Sequence, residues 1–456
     1  MSWTLPDVLR ATGAELLQWG PGPFGGVSTD SRQVNAGQVF VALRGPRYDG
    51  HDFVPQALGR GATAVVGERA AQEPPQGVAW LKVGDGLRAL GDLAAARRRT
   101  LPVRVVGITG SNGKTTTKEM IASVLAASGA KVAKSPGTEN NLVGLPRTLL
   151  GLSGDERYAV LEMGMNHPGE IWRLAEIARP DVGVITNVGP AHLEGLGGVA
   201  NVAAAKGELA LALSSGSTLI VNAADPWLVP LAESFAGRTI LAGGDGPVRA
   251  LSTEPATDGQ RLTIEIDGER VAVHLRARGA HNVANALLAA AVGSTLGLSV
   301  EAIAAGLAAF VPPPMRLEAL SLPGGARILN DAYNANPASA AAALASLAAE
   351  PARRRIAVLG EMWELGAEAA RYHRELGRDA AAAGVDLLIA VGRYAAEIGV
   401  GAEEAGLPPS RVKLSATAEE AAELVAAEIA AGDVVLVKGS RGARMEEVVR
   451  VLGGRI

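Results

Sequence analysis

A β-branched strand, Val105-Val106-Gly107-Ile108-Thr109, runs into Gly110-Ser111-Asn112-Gly113 and then into a helix that opens Lys114-Thr115-Thr116. No other feature constrains the fold so tightly. Glycines at 110 and 113 let the backbone take positive φ angles, so successive N–H groups converge on one concavity and the positive end of the helix adds to it. Such a cradle holds the phosphates of a nucleoside triphosphate, with Lys114 reaching the β and γ groups and Thr115 offering its hydroxyl to Mg2+. The spacing departs from the usual phosphate loop, because the position five before Gly113 is Ile108. A plain Gly-rich turn is the alternative. The strand before it, the Lys-Thr pair and the helical Lys118-Glu119-Met120-Ile121 after it count against that reading.

With 456 residues the chain exceeds one hydrophobic core and suggests three domains of about 150 residues. Hydrophobic content of 48% with 20% charged residues fits a globular protein rich in βα units. The longest uncharged run, residues 282–300, is broken by Asn285, Gly293, Ser294, Thr295 and Gly297, so it reads as a buried small-residue helix and no membrane span is expected. Without cysteine there is no disulfide and no thiolate nucleophile or ligand, so any metal uses oxygen or histidine. No signal segment is evident at the N-terminus, and the cytoplasm is the expected compartment. A formal charge of −4 argues against a nucleic-acid partner. Arg97-Arg98-Arg99 reads as a solvated helix end.

The expected architecture is α/β with three domains. Residues 1–100 alternate short strands such as 39–43 and 62–66 with Gly-containing turns, as in a small α/β unit. Residues 101–313 open with the cradle and continue through strands at 158–162, 182–187 and 217–221, an alternation that implies a parallel sheet with ligands at the strand C-termini. Pro312-Pro313-Pro314 makes a stiff connector, and residues 314–456 repeat the pattern with strands at 327–330, 356–359, 387–391 and 434–438. This last part reads as a Rossmann-like domain without a GxGxxG fingerprint. Residues 338–349 are Ala-rich enough for a strong helix.

Polar residues at strand ends carry the chemistry of the middle part. Glu162 closes the apolar Tyr158-Ala159-Val160-Leu161 and is a candidate Mg2+ ligand, while a second strand delivers Asn187 and His192 to the same rim. Singly, such residues are more often structural; following a phosphate loop in one βα series, they collect on one rim. Lys206, in Ala205-Lys206-Gly207-Glu208, reads by itself as a solvated helix lysine. Of six histidines, His51, His167, His192, His281 and His373 lie in motif-like surroundings, with a solvated helix position the rival for His373. His274, in a strand-like run, reads as structural.

Thr109-Gly110-Ser111-Asn112-Gly113-Lys114-Thr115-Thr116, Glu162-Met163-Gly164-Met165-Asn166-His167, Ala191-His192-Leu193-Glu194, Ala205-Lys206-Gly207-Glu208, His281-Asn282-Val283-Ala284-Asn285 and Asp331-Ala332-Tyr333-Asn334-Ala335-Asn336-Pro337 occur in the order found in the Mur ligases of peptidoglycan synthesis. The chain resembles that family over nearly its whole length. The Asp331 and Glu162 motifs are similar to the branch that adds D-alanyl-D-alanine to UDP-N-acetylmuramoyl-tripeptide, whereas the sister that adds the third amino acid carries Asp-Tyr-Ala-His at the first of these places. Thr29-Asp30-Ser31-Arg32 and Tyr48-Asp49-Gly50-His51-Asp52-Phe53 resemble the uridine-nucleotide domain that both share.

The resemblance implies a central ATPase domain between a UDP-binding and a ligase domain, a monomer, and an ATP-driven amide ligation through an acyl phosphate. It assigns ATP contacts to Gly110, Ser111, Asn112, Gly113, Lys114, Thr115 and Thr116, adenine to Asn282, and further ATP contacts to Arg316 and Asp331. An N-cap role is the alternative for Asn282. Two Mg2+ ions are implied, one on Thr115 and Glu162 and one on His192 and a carbamylated Lys206, with an outer-sphere role the rival for His192. Lys114, His192 and Lys206 would be catalytic; Asp30, Ser31, Arg32, Asp49 and His51 would bind the UDP substrate, and Asn140, Asn141 and Asn334 the peptide side. Lys438, Ser440 and Arg441 fall where the family turns polar groups to the cleft. Thr138 departs from the family pattern, which has Asn there. The competing readings are a sister ligase that adds one amino acid, a folylpolyglutamate-synthase-like ligase, and a nucleotide-driven switch with no ligation.

Overall fold

The computed structural model describes residues 2–70 and 74–455, and they build three sheets in succession. The first holds β1 (Glu15–Gln18), β2 (Val27–Ser28), β3 (Val39–Val41), β4 (Ala64–Gly67) and β5 (Ala79–Lys82) in the order β1-β5-β4-β3-β2. β3 and β4 are buried along their length, as parallel strands covered on both faces must be, and β1 is a half-exposed antiparallel edge.

The helix Gly86–Thr100 carries the chain to the second sheet. Its basic end is not the solvated run expected: Arg97 is buried and donates to Leu152 O at 2.6 Å, and Arg98 donates to Ala178 O at 2.8 Å. Guanidinium groups satisfy orphan carbonyls at this junction, so two of the three arginines are consumed in packing.

Nine strands form the second sheet. They are β6 (Arg104–Thr109), β7 (Val132–Lys134), β8 (Tyr158–Glu162), β9 (Val182–Ile185), β10 (Thr218–Asn222), β11 (Arg238–Ala242), β12 (Val248–Ala256), β13 (Gly259–Ile266) and β14 (Glu269–Leu275), in the order β14-β13-β12-β11-β10-β9-β6-β8-β7. β7 to β11 and β6 run parallel, with β6 between β8 and β9, so the cradle and Glu162 leave adjacent strands on one rim. The expectation of a parallel sheet holds for this half only. β12, β13 and β14 form an antiparallel meander, whose alternating burial suits a sheet edge with one wet face. Helix Ala280–Thr295 then packs on the cradle helix Lys114–Ala126, and Gly306 brings the next helix so close that a Cβ there would lie 2.4 Å from Val124 Cα.

Residues 312–314 lie in the connector between helix Val300–Ala309 and the third sheet. That sheet takes β15 (Glu318–Ser321), β16 (Arg327–Asp331), β17 (Arg355–Leu359), β18 (Leu387–Val391), β19 (Val412–Ser415) and β20 (Val434–Lys438) in the order β15-β16-β20-β17-β18-β19, parallel except for β15. Asp331 and Lys438 end neighbouring strands in register, which sets them side by side at the rim. His373 is neither solvated nor at the cleft. It is buried, accepts from the Met362 N–H at 2.9 Å and stacks on Tyr394. Asn336 and Ser339 form a capping box that starts helix Pro337–Ala348, the Ala-rich helix expected from sequence.

One acid-range prediction arises here. The turn before β8 is closed by Glu156; burial raises its pKa, but hydrogen bonds from the Ser153 hydroxyl and from the Gly154 and Ser153 N–H groups outweigh it and bring the group down to about 2. A carboxylate depressed on folding stabilises fully above its unfolded pKa of about 4.3 and loses that contribution as pH falls towards 2. Glu156→Gln is expected to lower Tm at pH 7 and to flatten its fall between pH 4.5 and 2.5; a Tm profile parallel to the parent's would contradict this assignment.

Candidate active site

The second and third sheets enclose a cleft of about 510 Å3. Its floor is the cradle. Gly110 and Gly113 have φ of 149° and 78°, and a Cβ at either would strike Thr186 or Asn285, so only glycine fits. Asn187 braces the loop: its side chain accepts from Asn112 N–H at 2.8 Å and donates to Asn112 O at 3.1 Å, while its carbonyl accepts from Ser111 N–H at 2.9 Å. Lys114 Nζ lies on Gly110 O at 2.7 Å and Ser111 O at 3.3 Å, and burial followed by the nearby Arg316 charge lowers its pKa against the pull of Glu162.

Glu162 is buried at the cleft wall with both oxygens engaged. Thr115 Oγ1 donates to Oε2 at 2.9 Å and Asn140 Nδ2 to Oε1 at 2.9 Å. Thr115 in turn accepts from the Arg316 guanidinium at 3.0 Å, and that guanidinium lies over the Tyr333 ring at 4.2 Å. Hydroxyl, carboxylate and cation from three chain segments therefore meet at the mouth of the cradle.

The third domain supplies the opposite wall. Lys438 Nζ bonds Asp331 Oδ2 and reaches Asn334 O at 3.0 Å, while Asp331 Oδ1 accepts from Leu317 N–H at 3.1 Å. Asn336 Nδ2 crosses to Asn112 Oδ1 at 2.7 Å, and the Tyr333 hydroxyl crosses to Thr138 Oγ1 at 2.8 Å. Asn282 lines the cleft too, but it does not cap its helix, which starts after Gly279; it donates to Arg278 O and accepts from Asn285. His281 beside it is held below its ordinary pKa by burial, with Asp331 opposing and Lys438 adding to the effect.

His192 stands at the cleft edge with φ of 56°, its Nδ1 2.6 Å from Glu364 Oε2. That is an ion-pair distance, yet the ring nitrogen is buried and has no hydrogen bond of acceptable direction. Contact with His192 holds the Glu364 carboxyl below its usual range. Lys206 lies behind the cleft rather than on its lining and is 1% exposed, far from the solvated helix position its sequence suggests. Burial first, and the charge of Lys114 second, push its pKa well below the ordinary lysine value.

Of the residues the sequence marks, Ser111, Asn112, Gly113, Lys114, Thr115, Thr116, Asn140, Asn141, Glu162, His192, Asn282, Arg316, Asp331 and Asn334 share this cleft. Asn141 spends its side chain on the Val143 and Gly144 N–H groups at the next helix start, and Ser440 spends its own on Ala335 O and Trp363 N–H. Asp30, Ser31, Arg32, Asp49 and His51 gather elsewhere, in the first domain. Ser31 Oγ bonds Gln56, and Arg32 pairs with Asp30, whose pKa this contact lowers to about 2 with a lesser contribution from Arg147 of the second domain. Both His51 ring nitrogens are engaged internally, with Asp49 at 2.6 Å and the Glu68 N–H at 2.9 Å. Lys118 and Glu364 escaped the sequence reading as site residues, whereas Asn285, Tyr333 and Asn336 entered it only as members of quoted motifs, with no role of their own. Those motifs were the one local signal for the three.

A phosphate cradle, a buried carboxylate against its threonine, and a second α/β domain that completes the cleft define a multidomain P-loop nucleotide enzyme. Family comparison specifies which. The Mur ligase family catalytic domain matches residues 23–98, the Mur ligase middle domain residues 108–293, and the Mur ligase glutamate ligase domain residues 315–441. The UDP-N-acetylmuramoyl-tripeptide–D-alanyl-D-alanine ligase of Escherichia coli is 38% identical over 93% of this chain and 93% of its own length. A crystal structure of MurF from Acinetobacter baumannii superposes with a TM-score of 0.93 at 32% identity, covering 100% of this chain and 99% of that one. MurF from Thermotoga maritima in complex with ADP follows at 0.83 and 30%, covering 94% and 97%. The chain belongs to the Mur ligase family.

Proposed function

We propose that this chain joins D-alanyl-D-alanine to UDP-N-acetylmuramoyl-tripeptide, with ATP converted to ADP and phosphate and an acyl phosphate as the intermediate. One observation carries the reading: the Asp331 to Asn336 segment, whose motif resembles the dipeptide-adding branch, closes directly on the phosphate cradle through Asn336 and on Thr138 through Tyr333. The relatives that match this chain over nine-tenths of its length bear that enzyme's name. The same comparisons favour this reading over the single-residue ligase, the folylpolyglutamate-type enzyme and the switch.

Two negatively charged reactants must meet before a carboxylate can attack the γ phosphorus, so the cleft has to supply positive charge and exclude water. Lys114 and Arg316 supply it from opposite walls, and the cradle N–H groups orient the phosphates. In this reading Asp331 and Asn282, which line the cleft, hold the ribose and adenine ends. The crossing contacts of Arg316, Tyr333 and Asn336 keep the domains together, which protects an acyl phosphate from hydrolysis until the amine of the dipeptide displaces phosphate.

Thr115 and Glu162 fit Mg2+. They are hard oxygen donors 2.9 Å apart at the phosphate mouth, and among the described residues no three His, Cys, Asp or Glu side chains form a closed cage, which suits an ion held largely by phosphate and water. The resemblance assigns a second ion to His192 and a carbamylated Lys206; in this reading His192, whose Nδ1 lies 2.6 Å from Glu364, would turn its other ring nitrogen to that ion, and Lys206 would reach it from behind the cleft lining. A bound Mg2+ neutralises phosphate and acyl oxygens as charge develops. Lys206 suits carbamylation because its lowered pKa leaves far more neutral amine to add CO2 than an ordinary lysine has.

The division into residues 1–100 for the UDP substrate, 101–313 for ATP and 314–456 for ligation belongs to the same reading. Asp30, Ser31, Arg32, Asp49 and His51 mark the first, and Asn140, Asn141 and Asn334 face the peptide end. A monomer, implied by the family resemblance, belongs to the same reading. No helix among the described residues is long and apolar enough to cross a membrane, and the cytoplasm, where ATP is supplied, is the proposed compartment. Phosphate release should require ATP, Mg2+, the UDP-tripeptide and D-alanyl-D-alanine together; equal release with a single amino acid would move the chain to a sister activity, and release without acceptor would return it to a switch.

A further inference from the structure

Lys118 lies one helical turn beyond Lys114 and is 0% exposed, yet nothing in the proposed reaction uses it. A buried ammonium is costly unless its donors are met. Lys118 Nζ donates to Ser135 O at 2.9 Å and Gly137 O at 2.6 Å, and lies 3.3 Å from Glu119 Oε1 and 3.8 Å from Glu162 Oε2. The segment that it grips, residues 135–141, is tied at further points. Ser135 Oγ accepts from the Glu162 N–H at 3.0 Å, Asn140 holds the Glu162 carboxylate, and Thr138 receives the Tyr333 hydroxyl of the third domain.

On its outer side the same segment walls a second cavity of about 440 Å3, which Arg147 also lines. Arg147 lies 3.8 Å from Glu139 of the segment, and its charge is a minor contribution to the lowered Asp30 carboxyl of the first domain. Residues 135–141 therefore separate the phosphate cleft from the outer cavity, and they bond the third domain through Thr138. At their near end Ser135 is also tied to β8, and Lys118, a fully buried cation on the cradle helix itself, is what joins Ser135 O and Gly137 O to that helix.

We propose that Lys118 is a positioning residue: it anchors residues 135–141 to the cradle helix, so that Asn140 sets Glu162 and the segment's outer wall is formed when the UDP-peptide arrives. Its kinetic consequence rests on the reaction proposed above; the anchoring itself does not. Lys118→Met keeps most of the apolar stem and removes the donors. Without substrate, amide exchange over 135–141 is expected to quicken by about tenfold or more, with the helix Lys114–Ala126 little changed. In turnover, KM for the UDP-peptide is expected to rise about tenfold, more than KM for ATP, which changes only as far as Asn140 loosens Glu162.

A merely structural lysine would lower Tm and the active fraction, leaving KM and exchange in the segment at parent values, and that outcome overturns the proposal. If Lys118→Met does not fold, Lys118→Gln retains a donor to one carbonyl and is expected to give intermediate exchange; parent-like exchange would again overturn it. Because the exchange arm needs no substrate, its failure counts against Lys118, whereas absence of dipeptide-dependent turnover in the parent counts against the reaction.

Discussion

Lys114→Met is expected to lower kcat by about 10³-fold, a loss of about 4 kcal/mol of transition-state stabilisation. Lys114 stands on the floor of the cleft, largely withdrawn from solvent, where a cation aimed at developing phosphate charge acts more strongly than it would in bulk solvent. Its two contacts with loop carbonyls help to hold the cradle, but the loop has other braces in Asn187, Thr186 and Ser111. The fold should therefore survive with Tm shifted by only about 2–4 °C. Steady-state turnover and a melting curve check this together. A kcat within tenfold of the parent would mean that Arg316 or the cradle N–H groups carry the charge instead.

Lys206→Met is expected to cost kcat a similar factor, about 10³-fold, although the side chain is not on the cleft surface. Methionine matches the buried volume and removes the unpaired amine, so stability should hold or rise: a depressed lysine pKa means that the unfolded chain binds more protons, and the parent pays for this below the unfolded pKa of about 10.4. The same sign argument predicts that the parent freed of CO2, but not the variant, gains stability as pH rises towards that value. Lys206→Arg should be as inactive as Lys206→Met, since a guanidinium cannot add CO2. A carbamate carbon signal after equilibration with labelled CO2, present in the parent and lost in both variants, is the direct check; activity of Lys206→Arg near the parent level would exclude the carbamate.

Local chemistry made the cradle legible from sequence, because positive-φ glycines, the Lys-Thr pair and the flanking strand and helix all lie within twelve residues. Glu162 was legible for a similar reason, as the polar end of an apolar strand. Lys206 was not, since nothing in Ala205-Lys206-Gly207 distinguishes a buried lysine from a solvated one; only the packing of its helix against the central sheet decides. Asn336 and Tyr333 meet partners 224 and 195 residues away, and Glu364 meets His192 only because two left-handed turns from different domains come together. The meander of β12 to β14 left a signal that went unread, since Leu262, Ile264 and Ile266 alternate with polar residues before an Asp267-Gly268 turn and the strand-like run at 271–275; only β12, exposed along its outer part, lacks such a pattern. For Arg97 and Arg98, a basic run gives no sign that carbonyls wait for it across a domain junction.

The most direct test of the central claim follows oxygen rather than rate. UDP-tripeptide labelled with 18O in its reacting carboxylate, turned over with ATP, Mg2+ and D-alanyl-D-alanine, should transfer one labelled oxygen to each released phosphate and yield the pentapeptide product. Unlabelled phosphate accompanying the same product would contradict an acyl-phosphate route, and labelled phosphate without the pentapeptide would show that the activated acyl group reaches water before the dipeptide.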